Sequence, residues 1–319
     1  MTRLSDATVA HLQKLVVHPE LEGRYEIRER IGEGGMGTVY LAHDRELDRD
    51  VALKVLRDLV PTVEERERLV REARILASLE HPGIVPVHDV GTLADGRLFY
   101  VMKRVRGERF DDFVRGGRTR AELLRAFLQM CDAVSFAHAS GVVHRDLKPQ
   151  NVMLGAFGEV LVLDWGVARM TGARVDVTNE RVTATAAGTP GYMAPEQMQG
   201  GVDQRSDVFG LGGILFFLLT GTHPAASAET AVQWDCHDVP AALRAICEHA
   251  RAADPTRRYP TVAELAADVA NYLDALPVAA HAEGIVERLR RVSVRHRTAI
   301  LLVLAYLGMR VALLLFARR

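Results

Sequence analysis

Between Val142 and Leu154 the chain reads Val-Val-His-Arg-Asp-Leu-Lys-Pro-Gln-Asn-Val-Met-Leu, and no other stretch restricts the fold so tightly. The apolar runs Val142-Val143 and Val152-Met153-Leu154 have the pattern of strand ends. Between them lie His144, Arg145, Asp146, Lys148 and Asn151: an imidazole, two cations, a carboxylate and an amide within eight residues. A loop of such mixed chemistry, pinned at both ends, suits a site more than a linker. A solvated polar turn would account for any one of these side chains but not for the whole string.

Upstream the hydrophobic period is two. Tyr25-Glu-Ile-Arg-Glu-Arg-Ile31 alternates, Gly32-Glu-Gly-Gly-Met-Gly37 interrupts, and Thr38-Val-Tyr-Leu-Ala42 resumes, which predicts a hairpin with a glycine-rich tip. Val51-Ala-Leu-Lys-Val-Leu56 is a third strand, apolar except for Lys54. A lysine in such a run must snorkel out or meet an anion. A charged helix is expected over Val63 to Leu79, closed by His81-Pro82-Gly83. Its inward stripe is Leu69, Ala73, Leu76 and Leu79, and Glu72 falls on that stripe. Glu65 shares the azimuth but lies near the helix start, where the dipole already favours a carboxylate. Glu72 is therefore the residue expected to turn inward and meet Lys54. Strands at Ile84 to Val90 and Leu98 to Met102 complete a small, mainly antiparallel sheet with one helix.

From Phe110 the pattern becomes helical. A long apolar-periodic helix is expected from Ala121 to Ser140, stopping at Gly141 just before the polar loop. After the loop comes a buried-looking strand, Val160-Leu-Val-Leu163, ending at Asp164-Trp165-Gly166. Residues 167 to 195 are rich in Thr, Ala, Gly and Arg and poor in large apolar groups, which reads as a long functional loop. Ser206 to Thr220 is a strongly apolar helix, and further helices continue to about Leu276. Residues 1 to 24 read as a flanking segment with a short helical pattern at Val9, Leu12, Leu15 and Val16. No signal peptide is visible at the N-terminus, and no internal repeat is evident.

With 48 % hydrophobic and 25 % charged residues among 319, the chain can bury a large core or split into two lobes. Forty basic residues against 41 acidic ones leave a formal charge of −1, so no global field draws it toward nucleic acid. Cys131, Cys236 and Cys247 form no Cys-x-x-Cys pair, and reduced thiols in the cytosol are expected rather than a disulfide framework or a zinc site.

Gly32-x-Gly34-x-x-Gly37-x-Val39, Val51-Ala-Leu-Lys54, His144-Arg-Asp146-Leu-Lys148-Pro-Gln-Asn151, Asp164-Trp-Gly166 and Ala194-Pro-Glu196 follow one another in this order over about 165 residues. Together they resemble the signature set of eukaryotic-type (Hanks-type) protein kinases, most of all the membrane-associated serine/threonine kinases of bacteria. A lone glycine-rich loop would be a weak signal; the ordered set is not. The resemblance spans Tyr25 to Leu276. It implies an α+β, two-lobe protein-kinase-like fold with a β-rich N-lobe at 25–105 and a helical C-lobe at 106–276.

The resemblance implies ATP and Mg2+, with Mn2+ as an alternative ion. Ile31, Gly32, Gly34, Gly37, Val39, Ala52 and Lys54 would line the nucleotide site, with Met102 as gatekeeper and the Lys103 to Val105 backbone on adenine. Lys103 stands where the family commonly has a glutamate. Lys54, oriented by Glu72, would bind the α- and β-phosphates, while Asn151 and Asp164 would hold the metal. Asp146 would receive or orient the substrate hydroxyl, and Lys148 would stabilise the transferring phosphoryl group. Lys148 and the Gly188-to-Glu196 string are of the serine/threonine type, with Thr189 expected on Asp146. Glu196 would pair with Arg258, Asp207 would brace the catalytic loop, and His144 would be structural. Trp165 departs from the usual phenylalanine in a place whose packing sets active and inactive states.

Arg145 would read a phosphorylated activation loop, and Thr183 and Thr185 resemble autophosphorylated threonines of bacterial relatives, which implies self-association. A pseudokinase scaffold is the alternative, disfavoured because Lys54, Asp146 and Asp164 are all present. A small-molecule phosphotransferase is disfavoured by Ala194-Pro-Glu196. Finally, within the segment 277–298 Arg288, Arg290, Arg291, Arg295 and Arg297 cluster over 286 to 297, and 299–317 is almost wholly apolar except for Arg310. That arginine opposes insertion by ~2.5–3.5 kcal/mol, against ~3–6 kcal/mol in favour from roughly eleven large apolar residues. A single-pass membrane helix behind a basic juxtamembrane segment is expected, with the kinase domain on the cytoplasmic side; an interfacial or partner-binding helix is the alternative.

Overall fold

The computed structural model describes residues 23–33, 37–56, 63–93, 95–165, 169–170, 190–199, 201–225, 234, 238–282, 284, 288, 302–303 and 305–310. Gly34, Gly166, Thr183, Thr185, Thr189 and most of 299–317 lie outside the described residues. The chain divides into two compact units, one of residues 1–113 and 136–176, the other of 114–135 and 177–319.

In the first unit, β1 (Tyr25–Glu33), β2 (Gly37–Asp44), β3 (Arg49–Leu56), β4 (Val87–Thr92) and β5 (Leu98–Lys103) form an antiparallel sheet in the order β1-β2-β3-β5-β4. Successive side chains point to opposite faces of the sheet, and in β3 both faces are buried from Val51 to Leu56. Val51, Leu53, Val55, Phe99 and Val101 join Tyr25, Ala42 and Leu93 in an apolar cluster. Ala52, Lys54, Tyr100 and Met102 alternate with them. The strand expected from Ile84 begins three residues later, at Val87, with Ile84 making only an isolated bridge to Val162. Pro86 stands between and has no N–H to give a ladder.

The helix α1 (Val63–Ser78) buries Leu69, Glu72, Ala73 and Leu76, and Leu79 just beyond it is buried too, so the carboxylate does travel with the apolar stripe. The strands β6 (Gly107–Arg109), β7 (Val142–Val143), β8 (Val152–Gly155), β9 (Val160–Val162) and β10 (Arg169–Met170) form two small sheets, β6-β8-β9 and β7-β10. The loop between β7 and β8 is thus held by a strand on each side, and it closes with a 3-10 turn at Pro149–Asn151.

The helices α2 (Phe110–Arg115) and α3 (Arg120–Ala139) each contribute residues to both units. The second unit is helical, with α4 (Gln204–Thr220), α5 (Ala241–Ala250) and α6 (Val262–Leu273) packed on one another. Apolar on every side, α4 is buried almost throughout. Its start is capped by Asp203, whose side chain accepts the Arg205 N–H, and it ends at Gly221, where φ of +71° lets the N–H reach Phe217 O. Asp207 is buried in its first turn.

Also in this unit, Glu196 and Arg258 make the pair expected of them. The guanidinium donates to both carboxylate oxygens at 2.7 and 2.8 Å, and Ser206 Oγ adds a bond of 2.9 Å. Near the C-terminus, Leu302, Val303, Tyr306, Leu307 and Met309 are helical and exposed. Among the described residues no helix is long and apolar enough to cross a membrane.

Candidate active site

The described residues of the site all belong to the first unit. Cross-strand register assembles one wall of the site. Gly32 lies opposite Val39, Val39 opposite Lys54, Lys54 opposite Tyr100, and Ala52 opposite Met102. Partners directly across an antiparallel ladder share a face, so Val39, Ala52, Lys54, Tyr100 and Met102 share one. Ile31 is exposed and sits at the register shift between Arg30 and Gly32. Gly37 is required for a reason internal to the sheet, since a Cβ there would lie 2.3 Å from Val55 O. The Lys103 N–H bonds Pro86 O at 3.1 Å. Beyond Lys103 the strand ends, which puts the Val105 peptide groups outside the sheet ladder.

Lys54 is only 8 % exposed and is surrounded by anions. Its ammonium donates to Glu72 Oε1 and Oε2 at 2.8 and 3.2 Å and to Asp164 Oδ1 at 3.1 Å. Burial works to deprotonate it, but Glu72, then Tyr100 and Asp164, outweigh that and hold its pKa well above the ordinary value. At Asp164 partial burial pushes the carboxyl up while Lys54 more than offsets it, so the pKa lies below the usual range. Asp164 is thus ionised at neutral pH with a side chain that remains accessible. Its φ of +59° is left-handed, as is that of Arg145 at +73°. Non-glycine residues adopt that region rarely and at an energetic cost, and they cluster at functional sites.

The residues of the loop between β7 and β8 are tied to one another and to the end of β9. The Leu163 N–H bonds Asn151 O at 2.8 Å, and Val162 lies opposite Val152. Asn151 Nδ2 donates to Asp146 O at 2.8 Å and to its Oδ2 at 3.1 Å. Lys148 Nζ donates to the same Oδ2 at 2.7 Å. Asp146 is buried, and its other oxygen, Oδ1, has no hydrogen-bond partner among the described residues.

His144 is fully buried beneath this loop. Its Nδ1 accepts the Asp146 N–H at 3.3 Å, which leaves Nε2–H to donate to Leu163 O at 3.0 Å. Its ring lies 4.6 Å from that of Trp165, whose Nε1 donates to Val162 O at 3.3 Å. One imidazole therefore links the backbone at Asp146 to the strand end that carries Asp164.

Two features were not read from the sequence. Tyr100 donates its hydroxyl to Glu72 Oε1 at 2.8 Å, and Trp165, beside Asp164, packs its ring at a tilt against His144. The first had a signal, because a tyrosine inside the apolar run Leu98-Phe-Tyr-Val-Met102 needs a partner for its hydroxyl once buried.

With its amide donor committed to Asp146, Asn151 keeps a carbonyl oxygen as the end that can ligate a cation. That oxygen and the ionised Asp164 carboxylate are hard donors of the kind a divalent ion completes with phosphate and water. Among the described residues no group of three or more His, Cys, Asp or Glu could hold a metal by itself.

Comparison with known proteins agrees with this geometry. Residues 25–300 match the protein kinase domain family. The chain is 39 % identical to the serine/threonine-protein kinase PknB of Mycobacterium leprae, over 79 % of this chain and 43 % of that protein. It is 41 % identical to PknB of Mycobacterium tuberculosis, over 78 % of this chain and 43 % of that one. To the serine/threonine-protein kinase PrkC of Bacillus subtilis it is 35 % identical, over 82 % of this chain and 42 % of that protein. The chain thus spans about two fifths of the length of these curated relatives. With the motifs in order, the antiparallel sheet bearing one helix, the helical second unit and the match over 25–300, the chain belongs to the protein kinase family.

Proposed function

We propose that the chain is a serine/threonine protein kinase that transfers the γ-phosphoryl group of ATP to protein hydroxyls. The observation that carries this reading is Asp146, with Oδ2 fixed by Lys148 and Asn151 and Oδ1 buried without a hydrogen-bond partner among the described residues. A buried acceptor without a donor is costly, and a substrate hydroxyl is a donor that fits. The hydroxyl oxygen attacks the γ-phosphorus in line, the bond to the β,γ-bridging oxygen breaks, and the hydroxyl proton passes to Oδ1. Lys148, already 2.7 Å from Asp146, neutralises charge on the phosphoryl group in flight. Lys54 orients the α- and β-phosphates, kept charged and in place by Glu72. Asp164 and Asn151 would hold Mg2+, or Mn2+, which would supply positive charge to screen the phosphates. Ile31, Val39, Ala52, Met102 and the Lys103-to-Val105 backbone receive the nucleoside.

Serine and threonine as acceptors are supported by Lys148 and by the names of the relatives. Regulation is by autophosphorylation at Thr183 and Thr185 between self-associating copies, read by Arg145, with Thr189 on the catalytic aspartate. The basic segment 277–298 and the apolar segment 299–317 anchor the chain to the membrane with the kinase domain cytoplasmic. The test of catalysis is incubation with labelled ATP, magnesium and a generic protein substrate. Wild type transfers label and Lys54→Met does not. Equal labelling by the two, or none by wild type, would favour a scaffold.

A further inference from the structure

Three strands of observation converge on Tyr100. The register sets it directly opposite Lys54, and the ammonium lies 5.6 Å from the centre of its ring. Its hydroxyl donates to Glu72 Oε1 at 2.8 Å, the oxygen that also accepts from Lys54 at 2.8 Å. Tyr100 and Glu72 are each only 2 % exposed, so solvent does not substitute for either bond.

The two donors to Glu72 are not equivalent. Lys54 is a flexible four-carbon stem with a competing carboxylate, Asp164, at 3.1 Å. It can satisfy its charge on either side and so does not by itself fix Glu72. Tyr100 has two side-chain torsions, a ring packed on a central strand, and a hydroxyl aimed at α1. Burial, then Glu72, raise its pKa well above the ordinary value, so it remains a donor at any physiological pH.

We propose that Tyr100 is a positioning residue for phosphate binding: its hydroxyl holds Glu72 so that Lys54 stays on Glu72 and leaves Asp164 available to the metal. The inference rests on the kinase reading above and adds a residue to it. Without the hydroxyl, Lys54 moves onto Asp164, and a cation must compete with an ammonium for that carboxylate. The defect then lies in nucleotide and metal binding rather than in the chemistry at Asp146.

The experiment measures the dissociation constant of Mg·ATP by titration calorimetry, the magnesium concentration giving half-maximal activity, and kcat, for wild type and Tyr100→Phe. The expected result is a Kd weaker by roughly ten- to a hundredfold, the scale of one hydrogen bond to a charged group. The magnesium requirement rises in parallel, and kcat stays within about twofold of wild type. In a Glu72→Gln background the same change has little further effect on Kd, because the tether it removes has already lost its charged end. A purely structural tyrosine would lower thermal stability and leave Kd and the magnesium requirement unchanged, and that result overturns the proposal. So does a full additional effect in the Glu72→Gln background. If Tyr100→Phe does not fold, Tyr100→Met carries the same comparison. Absence of phosphotransfer by wild type would overturn the kinase reading, whereas an active wild type with an unchanged Tyr100→Phe overturns only this inference.

Discussion

Replacing Arg258 by alanine removes more hydrogen bonding than any other single change in the second unit that the geometry suggests. The guanidinium has no exposed side-chain surface. It gives two bonds to Glu196 and one each to the carbonyls of Ala252, Arg205 and Ala253, at 2.7 to 3.0 Å. Alanine leaves a largely buried carboxylate and three carbonyls without that donor. Breaking one side of a buried ion pair costs about 3–5 kcal/mol, and for a unit of this size each kcal/mol moves Tm by about 2–4 °C. A fall of roughly 6–20 °C follows. Arg258→Lys is expected to lie between the two, because three donors on a flexible stem cannot reproduce five on a planar fork.

The pH dependence has a definite sign. Burial raises the Glu196 carboxyl, but the Arg258 bonds outweigh it and depress its pKa in the folded state. Its contribution is therefore complete above the unfolded glutamate pKa of about 4.3 and is lost as pH falls through the lower folded value. Urea unfolding followed by circular dichroism should show a constant gap between wild type and Arg258→Ala from pH 7.5 to 5, narrowing below about pH 4. A gap under about 1 kcal/mol at pH 7.5, or one that widens in acid, would refute the reasoning.

Trp165→Phe removes the Nε1 bond to Val162 O and part of the contact with His144. Stability should drop by about 1–2 kcal/mol in urea titrations, and an unchanged midpoint would mean that the indole does not secure the Asp164 turn. Phosphopeptide mapping of active protein should find Thr183 or Thr185 modified, and neither modified would remove the autophosphorylation proposal. The full-length chain should remain with the membrane fraction after an alkaline carbonate wash; its release would point to an interfacial or partner-bound helix.

What the sequence made legible were features encoded in local period and local order. The β1–β2 hairpin, the apolar stripe of α1 with Glu72 on it, the strongly apolar α4 and the loop at His144 to Asn151 all follow from spacing along the chain. What it did not make legible depends on register and on long-range packing. Tyr100 meets Glu72 because β5 pairs with β3 so that Tyr100 faces Lys54, and no spacing within either strand sets that register. Lys54 and Asp164 are 110 residues apart in sequence yet within 3.1 Å. Arg251 is buried, donates to Gly191 O at 2.8 Å and lies over the Phe209 ring. Room for it is made by Gly212 and Gly213, where added Cβ atoms would come within 2.8 and 2.9 Å of its side chain. Two glycines inside an apolar helix were the available signal, and it speaks only once the partner helix is known.

In the proposed phosphoryl transfer the unpartnered Oδ1 of Asp146 takes the proton of the substrate hydroxyl. The most direct measurement is the single-turnover rate of label transfer from ATP to a serine- and threonine-containing protein, comparing wild type with Asp146→Asn at saturating Mg·ATP. Asparagine keeps the shape and a carbonyl for Lys148 and Asn151 but cannot accept the proton as a carboxylate does. The rate should fall by about 10²–10⁴-fold, with Mg·ATP affinity within a factor of about two. An Asp146→Asn protein that transfers phosphate at the wild-type rate would contradict the account.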